Sequence, residues 1–485
     1  MSEEQALLRP AAEHIEPEAS SAVIPGFEPN SPGNPRNWPD AFKWRIVLML
    51  ACMAFAVTFT CISIVPIANQ IVADLDNGQP SSVGSALLVT IWEFGEAAGP
   101  LLIAPLSEVF GRYPVMNVAN IIFIAATVSA ALSQSTALFI ACRALTGLAV
   151  AVNVLNPAII GDIFAPDQRG SAMSLIMCAP LIGGAIGPAV SGLIAERVGW
   201  RAVVLIGAAL AVACEVVFLT CFRETYKLTI LRRRAQKLGK GSAKRGPGFK
   251  MVLDSVSRPF AVLFGSGVLS ALSLFGSVSF SYFYVLSVSL PSILQDIYHF
   301  TPGETGSAFV ALTNSLIGIG SFVAIAICHT TIDKISMKLR GSPNNPNLPE
   351  YRLPLAIAAG FAMPFVMVAY GFIAQYRLPV WILLTAAALL DGTTLLILIP
   401  LSSYVVDAGG VYSASAMTGL IVTRCLMGTF LPLTTGPLVE ALGYGWGISI
   451  FGAFSLLLAP IPMLIMRYGE KWRQRSEYTR ESEHE

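Results

Sequence analysis

Apolar runs of twenty residues or more recur along almost the whole chain, separated by short polar turns. A helix rises ~1.5 Å per residue, so each run is long enough to cross ~30 Å of hydrocarbon. Lipid offers no partner to a free backbone amide, so helices are the expected form. The first six runs fall near 44–66, 84–106, 114–133, 136–161, 170–195 and 200–222. The second six fall near 259–285, 304–329, 353–374, 378–404, 411–438 and 444–467. The pattern predicts an all-α membrane protein with twelve transmembrane helices in two six-helix bundles. Its expected parts are a polar tail (1–43), an amino-terminal bundle (44–222), a basic linker (223–258), a carboxyl-terminal bundle (259–467) and a short tail (468–485). The first segment lacks the short apolar run and cleavage site of a secretory signal, so the first span is expected to direct insertion.

Composition agrees with the hydropathy. Of 485 residues, 54% are hydrophobic and only 13% charged, with mean hydropathy +0.65. Soluble domains carry ~25% charge. A cytosolic enzyme, a nucleic-acid binder and a secreted disulfide scaffold are thereby excluded. The net charge of +1 says little until the charges are placed. Of 31 Lys and Arg, 26 fall in the tails and even-numbered loops, and 3 (Arg197, Arg201, Arg377) in the odd-numbered loops. The positive-inside rule then puts both tails in the cytoplasm. The eight Cys all lie in or beside predicted spans and make no CxxC pair, so they read as small apolar residues. The linker's basic residues, including Arg232, Arg233 and Arg234, suit either a topology signal and tether or contact with anionic lipid heads.

Four segments carry chemistry. The turn after the second span reads Ala104-Pro105-Leu106-Ser107-Glu108-Val109-Phe110-Gly111-Arg112-Tyr113-Pro114. Glu108 and Arg112 flank Gly111 at a tight turn, as an electrostatic latch would. The fourth span holds Arg143, and the second holds Glu93 and Glu96 at i and i+3, on one helix face. A charge inside a span costs ~2.5–3.5 kcal/mol on insertion scales and faces the bundle interior. Two carboxylates so close in a low dielectric cannot both ionise cheaply, which suits a group that exchanges protons. Each also has a bland reading, a structural hydrogen bond to a neighbouring span. Asp391 and Arg424 form a second candidate pair in the other half, and Glu215 is expected to snorkel from a span end. In the fifth span Gly183, Gly187 and Gly192 with Pro188 leave one face nearly bare, as a hinge or gate seam against the eighth span requires. Generic close packing is the alternative.

Together these segments resemble the signature motifs of the major facilitator superfamily. Pro105–Pro114 is similar to its loop 2–3 motif, Arg143–Gly147 to its span 4 motif and Gly183–Gly192 to its span 5 antiporter motif. More narrowly, Asn34-Pro35-Arg36-Asn37-Trp38-Pro39, Pro349-Glu350-Tyr351-Arg352-Leu353-Pro354 and Val411-Tyr412-Ser413-Ala414-Ser415-Ala416 resemble fungal twelve-span drug:proton antiporters, as does Gly161-Asp162-Ile163-Phe164 with Arg169-Gly170. The chain departs from the pattern at Ala104, Glu108, Val109, Tyr113 and Ser191. The resemblance implies export of a small organic molecule, such as a drug, toxin or secondary metabolite, against entering protons.

Glu93, Glu96 and Arg143 are the expected proton-coupling residues, Arg143 pairing with the ionised acid. Phe280, Tyr282, Tyr284, Tyr404 and Tyr412, with Asp391 and Arg424, are expected to line an amphipathic cavity. The two Arg equally suit a small carboxylate as cargo, and facilitated passage without coupling is a further alternative. No Walker A pattern occurs, and no catalytic residue, metal or cofactor is expected. The expected partners are the cargo, protons and the bilayer, with no nucleic acid, and the expected form is a monomer. Residence is expected in the plasma membrane; Glu3, Leu7 and Leu8 also resemble a vacuolar sorting signal.

Overall fold

The computed structural model describes residues 33–76, 81–150, 153, 155–165, 168–237, 249–311, 317–341 and 348–479. Among them there is helix and no strand. The amino-terminal half contains α1 (Asp40–Ile62), α2 (Ala68–Leu75), α3 (Ser82–Phe110), α4 (Arg112–Ala131), α5 (Thr136–Val150), α6 (Leu155–Ile163), α7 (Arg169–Val198) and α8 (Trp200–Cys221). Two helices follow, α9 (Lys227–Lys237) and α10 (Phe249–Gly265). The carboxyl-terminal half contains α11 (Gly267–Asp296), α12 (Pro302–Ala311), α13 (Ile317–Arg340), α14 (Pro354–Gln375), α15 (Val380–Gly409), α16 (Ser413–Phe430), α17 (Thr435–Leu458) and α18 (Pro460–Arg473).

Among the described residues, ten helical stretches are long and apolar enough to cross a membrane. One of them, Ser413–Arg473, reverses at Gly443, whose φ of +76° favours a residue without a Cβ, and so supplies two crossings. The pair α12 and α13 brackets residues 312–316, which lie outside the described residues, and completes the twelve. Two crossings are built from paired helices, α1 with α2 and α5 with α6.

Three boundaries differ from the hydropathy reading. The seventh crossing starts at Gly267, because extended backbone at Ser266 ends α10 while the apolar composition runs on across the break. The eighth and twelfth helices continue to Arg340 and Arg473, past the ends of their continuous apolar runs. Hydropathy marks where lipid ends; backbone hydrogen bonding decides where a helix ends. The proposed sorting residues Glu3, Leu7 and Leu8 and the linker run 239–248 lie outside the described residues.

The halves meet along two seams, α3 with α16 and α7 with α12. Among the described residues, the hydrogen bonds between halves run from mid-membrane to the end opposite the basic loops. Thr90 Oγ1 donates to the Thr429 carbonyl (3.0 Å), Asn69 Nδ2 to Ser292 Oγ (3.2 Å) and Gln295 Nε2 to the Pro66 carbonyl (2.9 Å). The Gly303 amide donates to Glu196 Oε1 (2.7 Å) at that same far end.

Candidate transport site

The mid-membrane part of the α3–α16 seam holds a polar cluster in an otherwise apolar interior. Glu93 and Glu96 point from α3 towards Cys425 of α16, and one ligand atom from each of the three lies within 4.8 Å of the others. Tyr284 of α11 donates its hydroxyl to Glu93 Oε1 at 2.6 Å. Glu93 Oε2 is buried and has no hydrogen-bond partner. Arg424 is partly buried, and both glutamates act on its charge. Its guanidinium lies 4.3 Å from the Phe280 ring centroid, and its Nε has no hydrogen-bond partner. Phe280 and Tyr284 meet edge to face at 5.7 Å. Two acids from one half thus confront one cation from the other, with aromatic rings beside them.

This arrangement corrects the expected pairing. Arg143 is buried but spends its donors on backbone carbonyls: Nε to Leu88 (3.3 Å) and Nη2 to Cys61 (3.0 Å). It ties α5 to α3 and α1 within its own half. Asp391 is buried on α15, and Glu93 and Glu96 of the opposite half act on Arg424. Three of the aromatic candidates also sit elsewhere. Tyr282 is sealed in the carboxyl half and donates to the Phe451 carbonyl (2.9 Å). Tyr404 donates to Glu350 Oε1 (3.4 Å), and Tyr412 packs edge to face on Tyr478 (5.3 Å) beneath Arg258. Both therefore belong to the basic end. Glu215 does not snorkel: it is buried on α8 and accepts from Asn120 Nδ2 at 2.7 Å.

At the basic end each half carries a clamp of charges. In the amino-terminal half Gly111 (φ +98°) makes the turn from α3 to α4. Glu224, just after α8, accepts from the backbone amides of Arg112 (2.9 Å) and Tyr113 (3.4 Å), capping α4. The Arg112 side chain bonds Ser107 Oγ, lies 3.7 Å from Asp162 Oδ2 and covers the Tyr226 ring at 4.9 Å. Thr225 Oγ1 donates to the same Asp162 oxygen (3.3 Å). Glu108, the acid expected to form the latch, is exposed. Asp162 and Glu224 supply the negative charge instead. In the carboxyl-terminal half Glu350 accepts from Arg473 Nε (2.9 Å) and Nη2 (3.3 Å), with both residues buried. Nearby, Arg352 bonds Asp407 and reaches Asp333 at 3.2 Å.

The other seam uses the small residues of α7. A Cβ on Gly183 or Gly187 would crowd α1, coming 2.8 Å from the Phe55 carbonyl or 2.9 Å from Ser63 Oγ. A Cβ on Gly192 would overlap the Pro302 carbonyl of α12, and one on Gly306 would overlap the Pro188 carbonyl. Pro188 lies inside α7, where no donor is left to pair with the preceding turn. Among the described residues, α7 comes closest to the backbone of the opposite half towards its far end.

Residues 46–432 match the family model described as Major Facilitator Superfamily. The chain belongs to the major facilitator superfamily. Among its relatives, it is 32% identical over 470 residues to the efflux pump radE of Floropilus chiversii, covering 94% of this chain and 86% of that protein. It is 31% identical to the MFS transporter fsa7 of a Fusarium species, covering 95% and 90%. Among solved structures it resembles a D-xylose-proton symporter with a TM-score of 0.66 at 16% identity, covering 88% of this chain and 97% of that one. It also resembles a bacterial homologue of the human lysosomal transporter Spinster, at 0.65 and 15%, covering 90% and 99%. At such identities the likeness speaks for the fold. The protein is a multi-pass membrane transporter of this superfamily, with the fungal efflux transporters as relatives.

Sequence reasoning missed Glu224 and Arg473 as clamp residues. Each contacts a partner more than 100 positions away. A weak signal was present: both are charged residues just beyond the last apolar run of a half. Superfamily members repeat their six-helix halves, so matching the two ends would have paired them.

Proposed function

We propose that the protein exports a small organic molecule in exchange for protons, with Glu93 and Glu96 carrying the protons and Arg424 sensing their charge. The observation that carries this reading is the between-half cluster of Glu93, Glu96, Tyr284 and Arg424. While a glutamate is ionised, its attraction to Arg424 holds α3 to α16. Protonation removes that attraction, and a seam held by charge is then freed to part. Tyr284 holds Glu93 in the orientation that faces the seam. Arg143 keeps α3, α5 and α1 together so that the amino-terminal half moves as one body. Rocking of one half on the other alternates access to the cavity between them. A proton entering down 100 mV releases ~2.3 kcal/mol, enough for a gradient on the order of fifty-fold for a neutral cargo at ~1.4 kcal/mol per decade. No nucleotide site is needed.

Efflux by the relatives supports the direction of transport. The rings of Phe280 and Tyr284 beside the charges suit an amphipathic cargo, a drug-like or secondary-metabolite skeleton. One observation favours a second cargo class: Arg424 has a buried unpaired Nε, which an organic carboxylate would satisfy. Counterflow in vesicles with labelled anions and with neutral hydrophobic compounds separates the two. Residence in the plasma membrane is part of the same proposal, since export from the cell requires it. The test is transport in sealed vesicles with a pH difference imposed. Glu93→Gln with Glu96→Gln is expected to abolish the pH-driven component while the protein stays in the membrane. Unchanged transport by the double variant, or by wild type with pH difference and voltage both collapsed, would remove proton coupling.

A further inference from the structure

On the side of the amino-terminal half, α3, α4 and α5 leave a groove of about 600 Å³, within the range of small-molecule sites. Its walls are apolar: Leu102 and Leu106 of α3, Val118 and Ile122 of α4 and Ala149 of α5 are among them. Among the described residues, the one charged residue in the lining is Arg233, from helix α9 of the linker, at the basic end of the groove. Leu102, Phe110, Val118 and Ile122 are exposed, so the groove has an open, oily rim.

An apolar trough ending in a cation is complementary to one class of occupant, a long acyl chain ending in an anion. We propose that the groove holds an acyl chain of one anionic phospholipid whose headgroup phosphate lies on Arg233. The side chain of Arg233 is half exposed, and its ion pair to Glu224 Oε2 is long at 4.0 Å. An Arg fork so weakly held has donors to give a phosphate. The leaflet facing the basic loops is the one enriched in anionic lipid if the positive-inside rule holds for this chain. Glu224 also caps α4 through the Arg112 and Tyr113 amides. A headgroup on Arg233 draws that cation from Glu224, so lipid occupancy reaches the clamp at Gly111.

The experiment uses the purified full chain carried through delipidation and native mass spectrometry with added phosphatidylglycerol or phosphatidylcholine. Wild type is expected to retain one phosphatidylglycerol. Arg233→Ala is expected to lower retention about fivefold, the size of one basic residue at an anionic surface. Val118→Trp, which fills the groove without touching the charge, is expected to lower it as much, and Arg233→Lys to restore most of it. Lys227→Ala, on the same helix but outside the groove lining, is expected to leave it unchanged. Equal retention of phosphatidylcholine, retention untouched by both Arg233→Ala and Val118→Trp, or an equal loss in Lys227→Ala would each overturn the site. The last result would reduce it to diffuse attraction by the basic linker.

Discussion

The two clamps at the basic end solve one problem with opposite charge placement. In the amino-terminal half the cation, Arg112, sits in the turn between helices, and the acid, Glu224, follows the last helix of the half. In the carboxyl-terminal half the acid, Glu350, sits in the turn between α13 and α14, and the cation, Arg473, ends the last helix. The geometry differs as well. Glu350 and Arg473 form a buried two-pronged pair at 2.9 and 3.3 Å. Arg112 is spread over a hydroxyl, a ring and a carboxylate 3.7 Å away, while Glu224 spends itself on backbone amides. The first is a fixed rivet. The second is a set of weaker contacts that can be exchanged one at a time, which suits the half whose seam carries Glu93 and Glu96.

The largest expected effect breaks the rivet. Glu350→Ala takes the carboxylate away from the buried Arg473, at a cost of ~3–5 kcal/mol. A large drop in melting temperature is expected in detergent, with Glu350→Arg plus Arg473→Glu recovering part of it. If Glu350→Ala melts like wild type, the contrast between halves is wrong. Next comes Arg112→Lys, which keeps the charge but loses the planar stack on Tyr226 and the fork towards Ser107 and Asp162. It is expected to cost ~1–3 kcal/mol and to change transport more than melting. Glu224→Ala should cost ~0.5–2 kcal/mol, the range for a lost helix cap, and should raise amide hydrogen exchange at the start of α4 only. A rise spread over both halves would mean that the clamps are coupled. The smallest effect is Glu108→Gln, expected to leave melting and transport at wild-type values. Measurable loss of transport there would return the latch to the exposed acid.

The far end offers a steric complement. Gly192→Leu drives a side chain into the Pro302 backbone of the opposite half. It is expected to slow transport more than tenfold, as a packed seam that cannot close must, while leaving the basic-end clamps in place. Cysteine accessibility at the two ends of the protein would report which end has opened.

What was legible in the sequence follows from what is local. Insolubility in water is a sum over residues, so twelve apolar runs, two halves and a basic face stood out directly. Glu93, Glu96, Arg143 and Arg424 were visible for the same reason, since a charge among apolar residues needs no partner to be noticed. The glycine face of α7 was equally plain. Which charge meets which was hidden. Arg143 and Arg424 are both lone arginines within apolar runs, yet one turns to carbonyls of its own half and the other to acids of the opposite half. Tyr282 and Tyr284 are two positions apart, and only one reaches Glu93. Helix rotation and the packing of one bundle on another set those choices through contacts between residues hundreds of positions apart. The sequence alone determined that the chain crosses a membrane and where it keeps its costly charges. The tertiary structure decided their partners, because pairing energy depends on distances that only the assembled halves define.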